Sequence, residues 1–403
     1  MVLMPVDEAL TQLISAATSY RLARPRESER LALLDALHRL LAEDVHAPID
    51  VPPNANSAMD GYAFRWADAG SAAALPVSQR IPAGRAPTPL LQGTAARIFT
   101  GGVIPEGADT VEMQENCYEN HGQVSFLQQP KLGGNIRQAG EDLTKGSIVL
   151  RAGTRLEAAE LGLLASLGLP DVPVYRRLRV ALLCSGDELV APGGTLRIGQ
   201  LFNSNETLLI ALLLQQGCDV LRLPPVADTL VATEQALRDA VSQGAELIIS
   251  TGGVSVGEED HLRAAMQRLG RIDLWKIAIK PGKPLAFGEV QQVPMLGLPG
   301  NPQSVWVTSH VLALPFIRCL QGDASVSLMI KVPAGFERTK SQNRREYLRV
   351  RVELDEQGVQ LLVPHAHQGS GVLSSASWAD GFAVVEAGTT VALGQLLPFY
   401  PVK

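Results

Sequence analysis

The chain has 403 residues, which is too long for one ordinary domain and predicts roughly two to four of them. Its formal net charge is −6 and only 5% of its residues are aromatic, so neither a basic field nor a base-stacking surface points to nucleic acid. The four cysteines show no paired spacing, which argues against a zinc site or a disulfide framework. Without a signal-peptide pattern or a long apolar run, we expect a cytoplasmic protein that does not enter a membrane.

Two helices are predicted near the start of the chain. Residues 6–18 and residues 28–41 each repeat apolar side chains at the spacing of one helical face. Helical periodicity returns over residues 157–167, where a glycine and a proline end it. We therefore expect a discontinuous helical domain made of residues 1–53 and 139–177.

The segment between the two parts of that domain, residues 54–138, has a different texture. Glycines and prolines separate short apolar runs such as residues 123–127, and helical periodicity is nearly absent. The triplet Asn120-His121-Gly122 is typical of a hairpin turn. This segment predicts a small β domain inserted into the helical one.

Residues 178–324 alternate predicted strands with predicted helices, which is typical of a doubly wound, mostly parallel α/β sheet. Asn203 and Asn301 each precede a predicted helix as candidate N-caps. Beyond them, apolar and polar residues alternate with period two over residues 346–354. Residues 325–403 are therefore expected to form a small C-terminal β barrel.

One loop of the α/β segment stands out. An apolar strand at residues 247–249 runs into a glycine-rich loop at residues 250–260, and a helix is predicted from His261. Such a loop can approach a phosphate closely, because glycine has no side chain and successive N–H groups form an anion nest. The acids at its end suit a divalent cation held beside the phosphate. The plainer interpretation is a tight turn followed by an acidic first helical turn, which the helix dipole favours.

Other polar loops of this segment also follow predicted strands, so a parallel sheet would bring them to one edge. They are residues 184–189, 226–228, 280–284 and 299–304. The carboxylates suited to Mg²⁺ beside phosphates are Glu188, Asp228 and Asp260. The lysines suited to anions are Lys276, Lys280 and Lys283. The combination indicates metal-assisted chemistry on a phosphate ester or anhydride. The alternative is that the lysines, Lys276 above all, are solvated loop charges.

Four further patterns are less specific. His365 and His367 would share one strand face as a metal pair, but without a third ligand nearby the plainer interpretation is surface or interface histidines. Residues 253–257 match Gly-x-Ser-x-Gly, yet the acidic run that follows does not suit a nucleophile elbow. Asp60-Gly61 is most simply a turn, and residues 137–142 a hinge.

Taken together, the motifs resemble the molybdopterin molybdenumtransferases, the family to which the E domains of gephyrin and of its plant counterpart also belong. The resemblance runs in order over nearly the whole chain. The segments that carry it are residues 57–63, 100–101 with 105–109, 137–142, 185–189, 252–260, 280–284 and 297–304. Any one of these motifs is weak, whereas all of them in order are specific.

The resemblance implies an elongated four-domain subunit that works as a homodimer. It implies a transferase of molybdenum cofactor biosynthesis that inserts molybdenum from molybdate into adenylylated molybdopterin, releases AMP and requires Mg²⁺. It also implies transient contact with the molybdopterin adenylyltransferase. Two alternatives stay open, namely the adenylyltransferase step itself and a gephyrin-like scaffold without catalysis. The extra domains argue against the first, and the retained acids argue against the second.

The family's functional positions can be placed on this sequence. The catalytic positions fall on Asp60, Thr100, Asp142, Glu188, Asp228 and Asp260, of which the last three are the proposed metal ligands. The positions that bind adenylylated molybdopterin fall on Ser185, Gly252, Gly253, Ser255, Lys276, Lys280, Pro299 and Pro302. The molybdate positions fall on Lys283, Ser304, Ser370 and an arginine, for which Arg345 is preferred over Arg344 and Arg349. Because Asp60, Thr100 and Asp142 precede the α/β segment, we expect them to complete the cleft of the other subunit.

The chain departs from the family pattern at three places. Ser185 stands where threonine is usual, Asn203 where aspartate is usual, and Ser250-Thr251 where two serines are usual. Hydroxyl or polar character is kept at each place, although Asn203 loses a charge.

Overall fold

The sheet that carries the candidate site has six strands within the part of the chain that the computed structural model describes, which is residues 3–70, 74–252, 261–323 and 328–402. In spatial order they are Asp219–Arg222, Arg179–Cys184, Leu247–Thr251, Val293–Leu298, Pro284–Val290 and Gly270–Lys276. The first four are parallel. The fifth is antiparallel to the fourth and the sixth is antiparallel to the fifth. The sixth strand therefore runs in the same direction as the four parallel strands and ends at the same edge of the sheet.

Helices cover both faces of this sheet, as the doubly wound pattern predicts. Ser204–Gln215 lies on one face, together with Pro302–Thr308 and Leu314–Gln321. Leu230–Ser242 and His261–Leu269 lie on the other face. The central strand feeds both cores, because successive side chains of a strand point to opposite faces. The side chains of Leu247 and Ile249 pack on one side and that of Ile248 on the other.

The first predicted helix forms and spans Val6–Ala23. It buries Val6, Ala9, Leu13 and Ala17. These side chains join the α/β core beside Phe316 and Ile317. The helix therefore packs on the α/β sheet, although its place in the sequence had grouped it with residues 139–177.

The second predicted helix, over residues 28–41, is wrong. Ser28–Ala32 is a strand paired antiparallel with Asp171–Tyr175, and a short 3-10 turn, Leu33–Ala36, follows. Leu34, which a helix would have buried, is 86% exposed. A partner about 140 residues away in the chain decides this conformation, and local periodicity cannot reveal it.

The region expected to be helical is consequently rich in short strand pairs. Besides the pair that Ser28–Ala32 forms, Val45–His46 pairs with Ile148–Leu150. The two ends of the inserted segment, Asn56–Ser57 and Ile136–Arg137, pair with each other next to this region. The helix predicted over residues 157–167 is confirmed as Ala158–Ser166, with Glu157 and Glu160 forming a reciprocal capping box.

The inserted segment forms the predicted β domain. Its sheet contains, in spatial order, Thr110–Met113, Gly61–Phe64, Ala95–Ile98, Leu75–Ile81, Gln123–Phe126 and Cys117–Asn120. The last two strands are the hairpin predicted around His121, which has φ +47° at the turn. Short 3-10 turns occur at Trp66–Asp68 and Gln114–Asn116.

The C-terminal segment also forms a β structure. Its sheet contains, in spatial order, Ile279–Lys280, Arg345–Leu354, Gly381–Val385, Leu396–Pro401 and Ile330–Pro333, with Gln360–Pro364 beside the second of these. A bridge between Ala334 and Leu362 brings the far strand back toward Gln360–Pro364, so the sheet curls into a half-barrel. The short helix Ser374–Trp378 packs beside it. The first strand, Ile279–Lys280, comes from the α/β segment and joins the two parts.

The N-caps behave differently from each other. Asn203 caps as predicted, because its side chain accepts a hydrogen bond from the Glu206 N–H at 3.2 Å. Asn301 occupies the predicted N-cap position, since its backbone is extended and its carbonyl accepts a hydrogen bond from the Val305 N–H at 2.9 Å, but its side chain makes no capping bond. Among the described residues, no helix is both long and apolar enough to cross a bilayer.

The helix after Asn301 is also not continuous. Pro302–Thr308 passes into a π-helical segment, Ser309–Ala313, before Leu314–Gln321 resumes. Pro315 has no N–H to donate and its ring crowds the preceding turn, which favours the wider register at this point.

Candidate active site

A cavity of about 730 Å³ opens at the edge of the sheet where the parallel strands end. It lies between the α/β segment and the C-terminal half-barrel, since residues 368–370 form part of its wall. Eight predicted site residues line it: Glu188, Gly252, Lys280, Lys283, Pro299, Pro302, Ser304 and Ser370. Loops that are distant in sequence thus converge at one edge, as the parallel arrangement predicts.

Glycine is required where the central strand reaches this cavity. Gly252 has φ +81°, and a Cβ placed there would lie 2.7 Å from the Ser185 carbonyl oxygen. The Gly252 Cα also lies 3.8 Å from the Cβ position of Gly300. Asn205 donates from Nδ2 to the Gly300 carbonyl at 2.7 Å. Three loop ends therefore meet at backbone distance, which only small residues permit.

The acidic side of the cavity is built by two adjacent loops. Glu188 is exposed in the cavity wall, and its carboxylate folds over Gly186, whose added Cβ would lie 2.6 Å from Oε2. The neighbouring Asp187 accepts a hydrogen bond from the Asp228 N–H at 3.3 Å. Asp228 is half-buried and stands just outside the cavity lining. A hydrogen bond thus joins the two strand-end loops that carry Glu188 and Asp228.

The third predicted metal ligand, Asp260, lies outside the described residues, as do Gly253 and Ser255. Within the ranges that the structure describes, no three His, Cys, Asp or Glu side chains are arranged to hold a metal. Ser185 and Lys276 are described but do not line the cavity. Ser185 contributes its backbone beside Gly252, and the Lys276 carbonyl accepts a hydrogen bond from the Met4 N–H at 3.1 Å.

The lysines lie on a tightly packed loop. Gly282 has φ +109°, and an added Cβ would lie 2.5 Å from the Thr308 Cγ2 atom. The loop therefore rests directly on the helix Pro302–Thr308. Lys283 is exposed at the cavity wall, whereas Lys280 forms an ion pair with Glu346 at 2.9 Å.

Two residues with hydroxyl side chains, Ser304 and Ser370, also line the cavity. Ser304 is 3% exposed and lies in the helix Pro302–Thr308. Ser370 is half-buried, and its carbonyl accepts a hydrogen bond from the Gln303 N–H at 3.0 Å. The Gln303 side chain donates to the Val372 carbonyl at 2.7 Å. These bonds fix the two serine segments side by side.

Arg345, the preferred molybdate arginine, does not line the cavity. Its guanidinium donates to Asp7 at 2.6 Å and 2.8 Å and to Glu386 at 2.9 Å. This pairing holds the pKa of Asp7 below its usual value. Arg345 therefore ties the N-terminal helix to the half-barrel, and its charge is already balanced.

The two competing arginines lie nearer the cavity. Arg344 lines it and donates to the Ile279 carbonyl at 2.9 Å. Arg349 is 1% exposed, and burial lowers its pKa to about 10. Its side chain contacts neutral acceptors, which are the Tyr347 carbonyl at 3.3 Å, the Gly369 carbonyl at 3.4 Å and the Ser375 hydroxyl at 3.3 Å.

The three predicted residues that precede the α/β segment stand away from this chain's own cavity. Asp60 accepts hydrogen bonds from the Thr100 N–H at 2.8 Å and the Thr100 hydroxyl at 2.7 Å. These bonds hold the pKa of Asp60 below its usual value. Asp142 is exposed, and its N–H donates to the Val51 carbonyl at 3.0 Å. The structure thus brings Asp60 and Thr100 together, but not beside Glu188.

Sequence reasoning missed part of the site. Asn203, Asn205, Phe202 and Gln368 also line the cavity. A second cavity of about 370 Å³ adjoins the first and shares Lys280, Pro281 and Gln368 with it. The polar run Asn203-Ser204-Asn205, which follows the observed strand Leu201–Phe202, was a usable signal, whereas nothing local to Gln368 indicated its position.

Three family models match consecutive parts of the chain. Residues 4–168 match the MoeA N-terminal region (domain I and II), residues 181–319 a probable molybdopterin binding domain, and residues 331–402 the MoeA C-terminal region (domain IV).

Individual relatives extend over nearly the same length. A molybdopterin molybdenumtransferase of Haemophilus influenzae is 38% identical over 97% of this chain and 98% of its own length. One of Bacillus subtilis is 32% identical over 96% of this chain and 90% of its own. The crystal structure of a molybdopterin biosynthesis MoeA protein from Pyrococcus horikoshii OT3 has a TM-score of 0.84 at 25% identity, covering 99% of this chain and 100% of that one. The chain therefore belongs to the molybdopterin molybdenumtransferase family.

Proposed function

We propose that this protein is a transferase of molybdenum cofactor biosynthesis that inserts molybdenum from molybdate into adenylylated molybdopterin and releases AMP. One observation carries this proposal. A single cavity is lined by the carboxylate Glu188 and the glycine Gly252 and also by Lys283, Ser304 and Ser370. Adenylylated molybdopterin carries a phosphate anhydride and has to react with molybdate. The groups that bind the anhydride and the groups that bind molybdate must therefore lie next to each other.

Magnesium fits the acidic side. Glu188 and Asp228 are hard oxygen donors on adjoining loops, and the glycine at position 186 leaves the Glu188 carboxylate room to fold over the loop. Together with Asp260 these residues would hold the ion. Bound Mg²⁺ would neutralise phosphate charge and so favour departure of AMP. The protein's own contribution is to orient the anhydride and keep the carboxylates in place.

The oxyanion side is assigned to Lys283, Ser304 and Ser370. Molybdate is a dianion, which an ammonium and hydroxyl donors recognise well. Because Asp7 and Glu386 balance Arg345, we assign the arginine role to Arg344 or Arg349 instead. Holding molybdate beside the dithiolene places molybdenum within reach of both sulfurs as AMP leaves.

We further propose that the cleft is completed by a second copy of the chain. Asp60 and Thr100 form one hydrogen-bonded unit, and neither they nor Asp142 line the cavity of their own subunit. A homodimer would bring them to the cavity of the other subunit. Delivery of the adenylylated substrate by the adenylyltransferase would be a transient contact at that same opening.

The direct test is to combine the pure protein with adenylylated molybdopterin, molybdate and Mg²⁺ and to measure AMP. We expect AMP release that depends on both molybdate and Mg²⁺. Release that is the same without molybdate would contradict the transferase assignment. An adenylyltransferase would instead consume ATP and form pyrophosphate, and a scaffold would release no AMP.

Two substitutions separate the halves of the cleft. Asp228→Ala is expected to abolish turnover and leave the dimer mass unchanged, because it removes a proposed metal ligand without touching a buried core. Lys283→Ala is expected to raise the molybdate concentration needed for half-maximal rate, because it removes a cation from the oxyanion side. Normal turnover in the first variant, or an unchanged molybdate requirement in the second, would move that half of the site elsewhere.

Three substitutions test which arginine binds molybdate. Arg344→Met and Arg349→Met remove the two cations near the cavity, and Arg345→Met removes the one already paired with carboxylates. We expect the molybdate requirement to rise in one of the first two variants and to stay unchanged in the third. A rise in Arg345→Met alone would reinstate Arg345 as the molybdate arginine.

A further inference from the structure

The segment that carries Lys280 is fixed from both sides by backbone pairing. On one side, Ile279–Lys280 runs parallel to Arg345–Leu354, with Lys280 opposite Glu346. On the other side, Met4 bridges Ile277, and the Ala278 N–H donates to the Met4 carbonyl at 2.7 Å. The backbone before the cleft loop is therefore immobilised by both ends of the chain, while the Lys280 side chain remains 36% exposed.

The Lys280 ammonium is held in place by a buried carboxylate. Glu346 is only 4% exposed, and its Oε1 lies 2.9 Å from the Lys280 Nζ. Its other oxygen, Oε2, pairs with Arg338. The Gln342 Oε1 accepts a further hydrogen bond from Lys280 at 3.2 Å. Both carboxylate oxygens are thus engaged by cations, so the carboxylate cannot rotate without losing one of them.

The position of this cluster relative to the cavities is specific. Lys280 lines both cavities, whereas Glu346 and Arg338 belong to the wall of the second. Seen from the larger cavity, the carboxylate therefore stands behind the lysine. Lys280, Arg338 and Glu346 together carry two positive charges and one negative charge, so one positive charge remains for an anion.

A buried carboxylate at this place needs a reason. Burying a charge is unfavourable unless it is paired, and a negative charge beside an anion-binding cavity also repels the ligand. Lysine, for its part, is a point charge on a flexible four-carbon stem, which settles in one position only when something holds it. Glu346 holds Lys280 through their ion pair, and Arg338 offsets the negative charge of Glu346.

We propose that Glu346 is a positioning residue for the transfer reaction. Its ion pair holds the Lys280 ammonium between the two cavities, where the ammonium can contact the anionic substrate. Arg338 holds the Glu346 carboxylate in turn. This inference rests on the substrate-binding role proposed for Lys280. The half-barrel thereby contributes to the cleft through a side chain that does not itself touch substrate.

A double-mutant cycle tests the inference with molybdate-dependent AMP release as the assay. Glu346→Gln keeps the shape and removes the charge, and we expect kcat to fall about 10- to 100-fold because the lysine is no longer held. In a Lys280→Met background the same change should produce no further loss, because Glu346 acts only through the lysine. Arg338→Met should lower kcat in the same direction, since it frees the carboxylate.

Glu386→Gln is the matched control. It removes a carboxylate from the same half-barrel that pairs with Arg345 and does not contact Lys280. Its kcat should stay within about twofold of wild type, in line with a surface ion pair. Comparable Tm values for Glu346→Gln and Glu386→Gln would show that the kcat difference does not come from folding.

The unfavourable outcomes are distinct. Wild-type kcat in Glu346→Gln, or an equal fold-loss with and without Lys280, would overturn the positioning role. Wild-type kcat in Lys280→Met would instead remove Lys280 from the site and the inference with it, while molybdate-dependent AMP release by the unmodified protein would leave the proposed function standing.

Discussion

At the residue scale, the most unusual polar group outside the cleft is His310. It is 8% exposed, lies in the π-helical segment Ser309–Ala313, and packs edge-to-face against Trp306 with ring centroids 4.2 Å apart. Its Nε2 has no hydrogen-bond partner among the described residues. Burial, aided by the nearby Arg318 charge, lowers the pKa of His310 to about 4. The side chain is thus held neutral between aromatic rings.

This burial predicts a pH dependence of stability. An unfolded histidine has a pKa of about 6.5, so the unfolded chain takes up a proton below that pH while the folded protein does not until about pH 4. The stability contributed by neutral His310 is therefore complete above about pH 6.5 and lost as the pH falls toward 4. Over this pH range the free energy of unfolding should fall by about 3 kcal/mol.

His310→Phe tests this directly, because phenylalanine can keep the edge-to-face ring contacts and cannot take up a proton. We expect the drop in Tm between pH 7.5 and pH 5 to be smaller in this variant than in wild type. His121→Asn, at an exposed turn with φ +47°, should leave the drop unchanged. An equal drop in His310→Phe and wild type would show that another group controls the acid sensitivity.

At the scale of single elements, the sequence predicted what local patterns determine. The buried strand Leu247–Thr251 and the helix after Asn203 follow from apolar run length and capping chemistry. The predicted helix over residues 28–41 failed because Ser28–Ala32 is held by Asp171–Tyr175, a contact with no local signature. The site followed the same division. Eight of the predicted residues line one cavity, whereas Ser185 and Lys276 do not. The choice among Arg344, Arg345 and Arg349 depended on Asp7, a residue from the opposite end of the chain.

The glycine that ends the central strand gives a prediction at this scale. Gly252→Ala would add a methyl group 2.7 Å from the Ser185 carbonyl oxygen in a backbone with φ +81°. We expect a destabilisation of about 1–3 kcal/mol and a loss of turnover, because the strand-end loops must move apart. Tm and AMP release measured on the same preparation check both expectations.

Gly168 provides the matched control. It has φ +75°, and an added Cβ meets no atom within 4 Å among the described residues. Gly168→Ala should therefore show the backbone strain alone, about 1–2 kcal/mol, with normal turnover per folded molecule. Equal turnover in the two variants would mean that the close approach at Gly252 does not shape the cleft.

At the scale of the whole molecule, parts that are far apart in sequence are fastened to one another around the α/β sheet. Met4 and Asp7 reach the cleft loop and the half-barrel through Ile277 and Arg345. Arg155 holds the 1%-exposed Asp323 side chain at 2.7 Å on the far side of the sheet. The cleft therefore forms only when distant parts of the chain pack together. Asp60 and Thr100, the predicted site residues of the inserted β domain, do not line it.

That separation predicts complementation between subunits. If the chain works as the proposed homodimer, Asp60→Ala and Asp228→Ala should each inactivate it. In a mixed dimer, one cleft would combine the intact Asp228 of one subunit with the intact Asp60 of the other. Random mixing makes half of the molecules mixed dimers, so about a quarter of all clefts should regain activity. Unfolding and refolding the two variants together, followed by the AMP-release assay, measures this fraction.

A second mixture distinguishes shared clefts from mere stabilisation of one variant by the other. Glu188 and Asp228 stand on adjoining loops of one sheet, so each subunit supplies both to the same cleft. Mixing Glu188→Ala with Asp228→Ala leaves every cleft with one of them missing, and no activity should return. If Asp60→Ala mixed with Asp228→Ala also stayed inactive while dimers formed, Asp60 would have to act within its own subunit. The inserted domain would then have to swing toward the cavity that Glu188 lines, because the structure places the two apart.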